Sequence, residues 1–225
     1  MALVAITAAI TALLLLGLRI VGDRGRALFP AIVVNYLVAG SLGLLIAEPW
    51  HGQHHGILFA PALLEGALFI LFFHLMGLSA RRAGVTVTTV ATKMSLVITV
   101  AIAVFAFKED PGPWAWVGII IGIVGVLLTT WAPGGERGDA RAWWLPVIVF
   151  LGSACTDTVI NLVQRTHLTP ATESAFTAYT FCTAAAIGLV VLMFHPQRRA
   201  LLQRDTWIAG GLLGIVNYGS IHFLI

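Results

Sequence analysis

The sequence predicts an all-α integral membrane protein, a polytopic bundle of eight transmembrane helices. Its 225 residues are 59% hydrophobic and only 10% charged, a composition outside the range of soluble globular domains. Eight apolar runs, each roughly 18–25 residues long, are separated by short segments rich in Pro, Gly or charge. The net charge of +3 comes from clustered arginines, without the basic patch and aromatic platforms of a nucleic-acid-binding domain. A lipid bilayer is therefore the expected partner, and nucleic acid is not.

The predicted spans are numbered 1 to 8 in chain order. They cover residues 2–21, 28–47, 60–78, 83–107, 113–132, 143–164, 171–194 and 206–225. All seven tryptophans lie at or near the ends of these runs, where an interfacial aromatic belt would place them. They are Trp50, Trp114, Trp116, Trp131, Trp143, Trp144 and Trp207. The tryptophans therefore agree with the predicted boundaries.

Basic residues predict the orientation of the spans. Ten arginines lie near the odd-numbered connections, whereas the even-numbered connections carry Lys108 and Arg165. Because Lys and Arg in short loops prefer the cytoplasmic side, this count places the odd connections in the cytoplasm and the N-terminus outside.

Span 4 contains Lys93 close to its midpoint. A charge at that depth costs roughly 2.5–3.5 kcal/mol on insertion scales, so it marks a candidate functional site. Hydroxyl side chains share one half of the predicted helix with Lys93, among them Thr86, Thr89 and Ser95. This half either lines a polar cavity or, as the alternative, its hydroxyls bond to their own backbone or to a neighbouring helix.

Span 6 offers a partner for Lys93. Asp157 is the one carboxylate that the predicted boundaries place well inside a span, and Ser153, Asn161 and Gln164 continue its polar stripe at helical spacing. A Lys93–Asp157 pair would offset part of the cost of burying each charge. The alternative is a static ion pair that only fixes helix packing.

Other polar residues carry weaker signals. Asn35 and Asn217 each precede a tyrosine in spans 2 and 8, where they either line the cavity or hold helices together. Glu65, near the predicted start of span 3, is expected to reach interfacial water. The segment 51–55 contains three histidines but no fourth ligand nearby, so no metal site is predicted. Glycines 118, 122 and 125 in span 5 favour close packing between helices of the chain, and contact between two copies in a homodimer is the alternative.

Motifs of hydrolases, metalloproteases and nucleotide-binding proteins are absent from the sequence. We therefore expect neither an enzyme nor a cofactor. Cys155 and Cys182 lie within apolar runs and are interpreted as small buried hydrophobic residues.

The passage through spans 4 and 5 resembles the EamA-like transporters of the drug/metabolite transporter superfamily. The residues that carry the resemblance are Arg81-Arg82, Lys93 to Ile98, Phe107-Lys108-Glu109, Trp116, Gly118 and Asp157-Thr158 with Asn161. The resemblance implies ten helices in two inverted five-helix repeats, with a midplane site between them. Residues 1–132 would form the first repeat, and residues 133–225 the second, truncated after its third helix. It also implies that both termini are cytoplasmic, in conflict with the arginine count.

These observations together favour a secondary transporter or exporter of a small polar metabolite in the bacterial inner membrane. The expected substrate or coupling residues are Lys93, Asp157, Asn161, Asn35, Thr89, Thr86 and Asn217. The alternative is a membrane scaffold or assembly partner that does not transport and in which the Lys–Asp pair only sets packing.

Overall fold

The computed structural model describes residues 13, 14, 16–18, 20, 27–49, 56–106, 108, 112–114, 116–118, 120, 121, 124, 140–169 and 172–222. Most of predicted spans 1 and 5, the histidine segment 51–55, and Gly122 and Gly125 lie outside the described residues. The described chain is helical and contains no strand.

Six long helices make up most of the described chain. They are α1 (Leu28–Ala47), α2 (Gly56–Arg82), α3 (Val85–Phe105), α4 (Trp144–Thr166), α5 (Glu173–Phe194) and α6 (Arg204–His222). Short 3-10 helices cover Ala140–Ala142 and Arg198–Leu202. Helices α1 to α5 are long and apolar enough to cross a membrane. The prediction of an all-helical protein with several helices fit to cross a membrane is therefore confirmed for the described residues.

Helix boundaries follow from local chemistry where the predicted and observed ends agree. Helix α1 has the predicted bounds, and it ends because Glu48 adopts the left-handed conformation at φ 40° before Pro49, which cannot continue a helix. Helices α2 and α3 are joined by Ala83 and Gly84 alone. Gly84 has φ 102°, a conformation that glycine adopts without steric cost and that permits this tight reversal.

Helix α2 differs from its predicted bounds of 60–78. The span was predicted from residue 60, beside Pro61, but the helix runs through this proline from Gly56. Pro61 lies in the second turn, where it removes the one hydrogen bond that its position would have donated to the backbone oxygen of Ile57. The earlier start moves every residue after Pro61 deeper into the helix, and this changes the interpretation of Glu65.

Each long helix packs mainly against its neighbours in the order α6, α1, α5, α2, α4, α3. Apolar side chains of α1 and α5 form the centre of the largest core, among them Ile32, Val33, Tyr36 and Phe181. Helix α2 lies between this core and the pair formed by α3 and α4. Because lipid is as apolar as these side chains, close packing and interhelical hydrogen bonds hold the bundle together.

Glycines set the closest helix contacts of the core. A Cβ added to Gly66 of α2 would lie 2.8 Å from the backbone oxygen of Thr180 in α5. A Cβ added to Gly214 of α6 would lie 2.6 Å from the backbone oxygen of Asn35 in α1. Two helix pairs, α2 with α5 and α6 with α1, therefore meet backbone to backbone.

The tryptophans agree with an interfacial belt. Each of the five described tryptophans, at positions 114, 116, 143, 144 and 207, is exposed. Trp207 donates its indole N–H to the backbone oxygen of Leu201 at 2.7 Å, just before α6 begins. An amphipathic ring at a helix end is the arrangement expected at a membrane surface.

Candidate functional site

A polar contact links α3 to α4. Ser95 Oγ lies 3.2 Å from Asp157 Oδ2 and 2.6 Å from the backbone oxygen of Thr92. Serine has a single hydroxyl proton, so the two acceptors share it and the carboxylate keeps spare accepting capacity. Asp157 therefore has one neutral donor from α3 and remains open to a further partner.

Lys93 lies on the same helix but does not reach Asp157 directly. Its side chain is exposed, and the two residues form no ion pair in the described structure. The Lys93 charge is nevertheless close enough to Asp157 to interact with it. The predicted contact between α3 and α4 is thus made by Ser95, while Lys93 acts on Asp157 through space.

The threonine hydroxyls of α3 bond within the helix. Thr89 donates to the backbone oxygen of Val85 at 2.8 Å, and Thr92 donates to that of Thr88 at 2.9 Å. Thr88 is buried and lies 2.8 Å from the hydroxyl of Ser79 in α2. Thr86 is exposed. These geometries match the alternative in which the hydroxyls serve the backbone and neighbouring helices.

The polar stripe of α4 has four members in different settings. Ser153 is buried, Asp157 meets Ser95, and Gln164 lines a small cavity beside α2. Asn161 accepts a hydrogen bond from Arg165 Nε one turn further along the helix. The stripe therefore faces α3 at Asp157 and the junction of α2 and α5 at Gln164.

Asn35 and Asn217 lie on the other side of the bundle, in α1 and α6. Both are buried, and Asn35 is 0% exposed with neither amide atom hydrogen-bonded to a described residue. Helices α1 and α6 lie beyond α5 and α2 from the α3–α4 pair. The structure thus divides the predicted residues into an α3–α4 group and an α1–α6 group.

Glu65 is the polar residue whose position was predicted least well. It was expected at the membrane surface, but it lies in the interior of α2 and is 0% exposed. Neither carboxyl oxygen has a hydrogen-bond partner within the described ranges. The apolar stretch that precedes it from Gly56 to Leu64 was the signal that could have placed it inside the span.

The cavity beside Glu65 lies where α2, α4 and α5 meet. The centre of a water-sized sphere can occupy about 20 Å³ of this cavity. Its lining comprises Glu65, Phe69, Ile160, Gln164, Leu168, Phe176, Thr177 and Thr180. The charge of Glu65 is close enough to interact with Asp157, so the cavity and the α3–α4 contact are electrostatically connected.

The chain is similar to a protein of Haemophilus influenzae. That protein, described as an uncharacterized protein, is 21% identical over 221 residues, a match that covers 92% of this chain and 72% of the relative. No family model matches the chain, and no solved structure matches it. This similarity assigns neither a family nor an activity.

Metal and thiol chemistry find little support in the described residues. Within them no group of three or more His, Cys, Asp or Glu side chains comes together. Cys155 is exposed, so its interpretation as a buried residue was wrong, and Cys182 is half-buried; both are free thiols. The residues at and near the α3–α4 contact offer carboxyl, hydroxyl, amide and ammonium groups, which bind protons and polar solutes.

Proposed function

We propose that this chain is a secondary transporter of a small polar metabolite, of the EamA-like type, in the bacterial inner membrane. The observation that carries the proposal is the contact between Ser95 and Asp157 inside two membrane-spanning helices, with the Lys93 charge close by. Ionisable side chains inside spans are costly and mark solute or ion pathways.

Helix packing supports the two-repeat architecture that the resemblance implies. In that architecture spans 2 and 7, here α1 and α5, are equivalent, as are spans 3 and 8, here α2 and α6. If α1 is equivalent to α5 and α6 to α2, then a contact between α1 and α6 in one place requires a contact between α5 and α2 in the other. Both contacts are present. The approach of Gly214 to Asn35 is matched by that of Gly66 to Thr180. Helices of residues 1–132 and of residues 133–225 then alternate in the packing order, so the boundary between the repeats runs through each of the main helix contacts, the α3–α4 contact included.

Charge suggests how the site would take a solute. An anionic group of the solute would attract Lys93, while an amino or hydroxyl group would bond to Asp157, which has spare accepting capacity. The exposed position of Lys93 leaves it free to move toward such a solute. Rocking of the two repeats would then open this site to each side of the membrane in turn.

Solute binding provides a direct test. We expect at least one amino acid or small hydroxycarboxylate from a panel to raise the thermal unfolding midpoint of the purified chain, because a ligand stabilises the state that binds it. Asp157→Asn should abolish this shift. Asp205→Asn is the matched control, because it makes the same chemical change in the exposed first turn of α6.

Two results would argue against the proposal. If no solute of the panel shifts the thermal unfolding midpoint of the wild-type chain, the proposal loses its main support. A shift that survives in Asp157→Asn would separate solute binding from the α3–α4 site. The scaffold alternative predicts the first result, since a packing role needs no small-molecule ligand.

A further inference from the structure

We propose that Glu65 is a proton-binding site, in which its carboxyl group takes up and releases a proton through a water molecule that enters the cavity between α2, α4 and α5. The coupling of this proton to solute movement rests on the proposed transport function. The binding of the proton itself does not.

The first argument is the isolation of the carboxyl group. Glu65 is 0% exposed, and both its oxygens lack a hydrogen-bond partner among the described residues. An ionised carboxylate in that setting is very costly, whereas a neutral carboxyl group loses far less on leaving water. Thr180, across the cavity in α5, is 3% exposed and its hydroxyl is likewise unpartnered in the described structure.

The second argument is the size and lining of the cavity. A site for one water molecule needs roughly 10–15 Å³ of space for its centre and two to four polar partners. The cavity offers about 20 Å³, and Glu65, Gln164, Thr177 and Thr180 are among its lining residues, but almost all of its surface is apolar, so it admits a water molecule without holding one in place. The other lining residues are mainly apolar, among them Phe69, Ile160 and Phe176. The space is large enough for a water molecule to enter and too small for a metabolite.

The third argument is that packing does not require a carboxyl group here. In the proposed two-repeat architecture α2 and α6 are equivalent, and the pairing that matches Gly66 to Gly214 also matches Glu65 to Leu213. Leu213 is 5% exposed and belongs to the main apolar core. An apolar side chain thus fills the equivalent position, so the carboxyl group in α2 serves another purpose.

The charged and titratable groups around Glu65 define what the proton would control. Among the helices packed against α2, α1 presents Tyr36 and α4 presents Asp157, and both are close enough to interact with the Glu65 charge. Helix α3 contributes Lys93, which acts on Asp157, and α5 contributes uncharged threonine hydroxyls. Because Glu65 and Asp157 are like charges, loss of the proton from Glu65 favours binding of a cationic group or a proton at Asp157.

The step itself is a simple acid–base exchange. A hydronium ion reaches the cavity water and transfers its proton to one carboxylate oxygen of Glu65. One O–H bond forms on Glu65 while one breaks on the hydronium ion, which leaves water.

Infrared difference spectroscopy of the full chain in lipid vesicles tests the proposal. During a pH step the wild-type chain should show a C=O band of a protonated carboxyl group that moves to lower frequency in D2O. The band should be lost in Glu65→Gln and in Glu65→Leu, and kept in Asp157→Asn. Glu173→Gln, at the first turn of α5, is the matched control and should also keep it.

Glu65→Leu guards against a variant that fails to fold, because leucine occupies the equivalent position in α6. The proposal is overturned if no such band appears in the wild-type chain, or if the band survives in both Glu65 variants. It is also overturned if the band stays constant over the whole pH range in which the chain is folded. Proton uptake by Glu65 without any solute binding would instead leave this site standing and remove the transport function.

Discussion

Replacing Gly66 with alanine is expected to lower the free energy of unfolding by about 1–3 kcal/mol, the usual cost of overpacking a core. The new Cβ would collide with Thr183 Oγ1 and would lie 2.8 Å from two backbone atoms of α5, the nitrogen of Ala184 and the oxygen of Thr180. The threonine side chain can rotate away, but the backbone atoms can move only if the whole helix shifts. Equilibrium unfolding in mixed micelles measures the effect.

Gly211→Ala in α6 is the matched control for this prediction, because a Cβ added there has no described atom within 4 Å. It should leave the free energy of unfolding unchanged or raise it by up to about 1 kcal/mol, because alanine favours the helix over glycine and meets no close contact there. Equal stability of the two variants would show that α2 and α5 are not in backbone contact at Gly66.

Replacing Lys93 with methionine and Asp157 with leucine together should leave a folded protein that has lost solute flux, by at least about tenfold, or about 1.4 kcal/mol in the barrier. Both side chains are exposed and form no ion pair in the described structure, so replacing them should change the stability of the fold little. Ser95 loses its contact with Asp157, but its hydroxyl keeps the hydrogen bond to Thr92 within α3. Uptake of a labelled solute into vesicles measures the loss.

The matched control replaces Lys108 with methionine and Asp205 with leucine. These residues carry the same charges on exposed positions outside the α3–α4 contact. The control should keep wild-type flux. A folded Lys93/Asp157 double variant with unchanged flux would favour the scaffold alternative, in which the two charges only set packing.

The sequence predicted most helix positions because their ends are marked by local chemistry. Helix α1 is bounded by an arginine-rich segment and by Glu48-Pro49, and it was predicted at its observed bounds. Helix α2 was predicted too short because Pro61 is as compatible with the second turn of a helix as with its start. The same error placed Glu65 at the membrane surface.

The candidate site was predicted to the level of helices and not to that of side chains. Lys93 and Ser95 both belong to the polar half of α3, but they lie about 160° apart around a helix, so one edge of that half faces α4 and the other does not. The rotation that turns Ser95 toward Asp157 depends on packing between helices distant in sequence. Asn35 is a similar case, since one buried amide in an apolar run fits a cavity wall and a helix contact equally well.

Solute counterflow in sealed vesicles tests the central claim most directly. Vesicles that contain the wild-type chain and are preloaded with an unlabelled solute that raises its unfolding midpoint should accumulate the labelled solute transiently. Vesicles with the Lys93→Met/Asp157→Leu chain should not. Equal uptake by wild-type and protein-free vesicles, for every solute that binds, would contradict the assignment of this chain as a transporter.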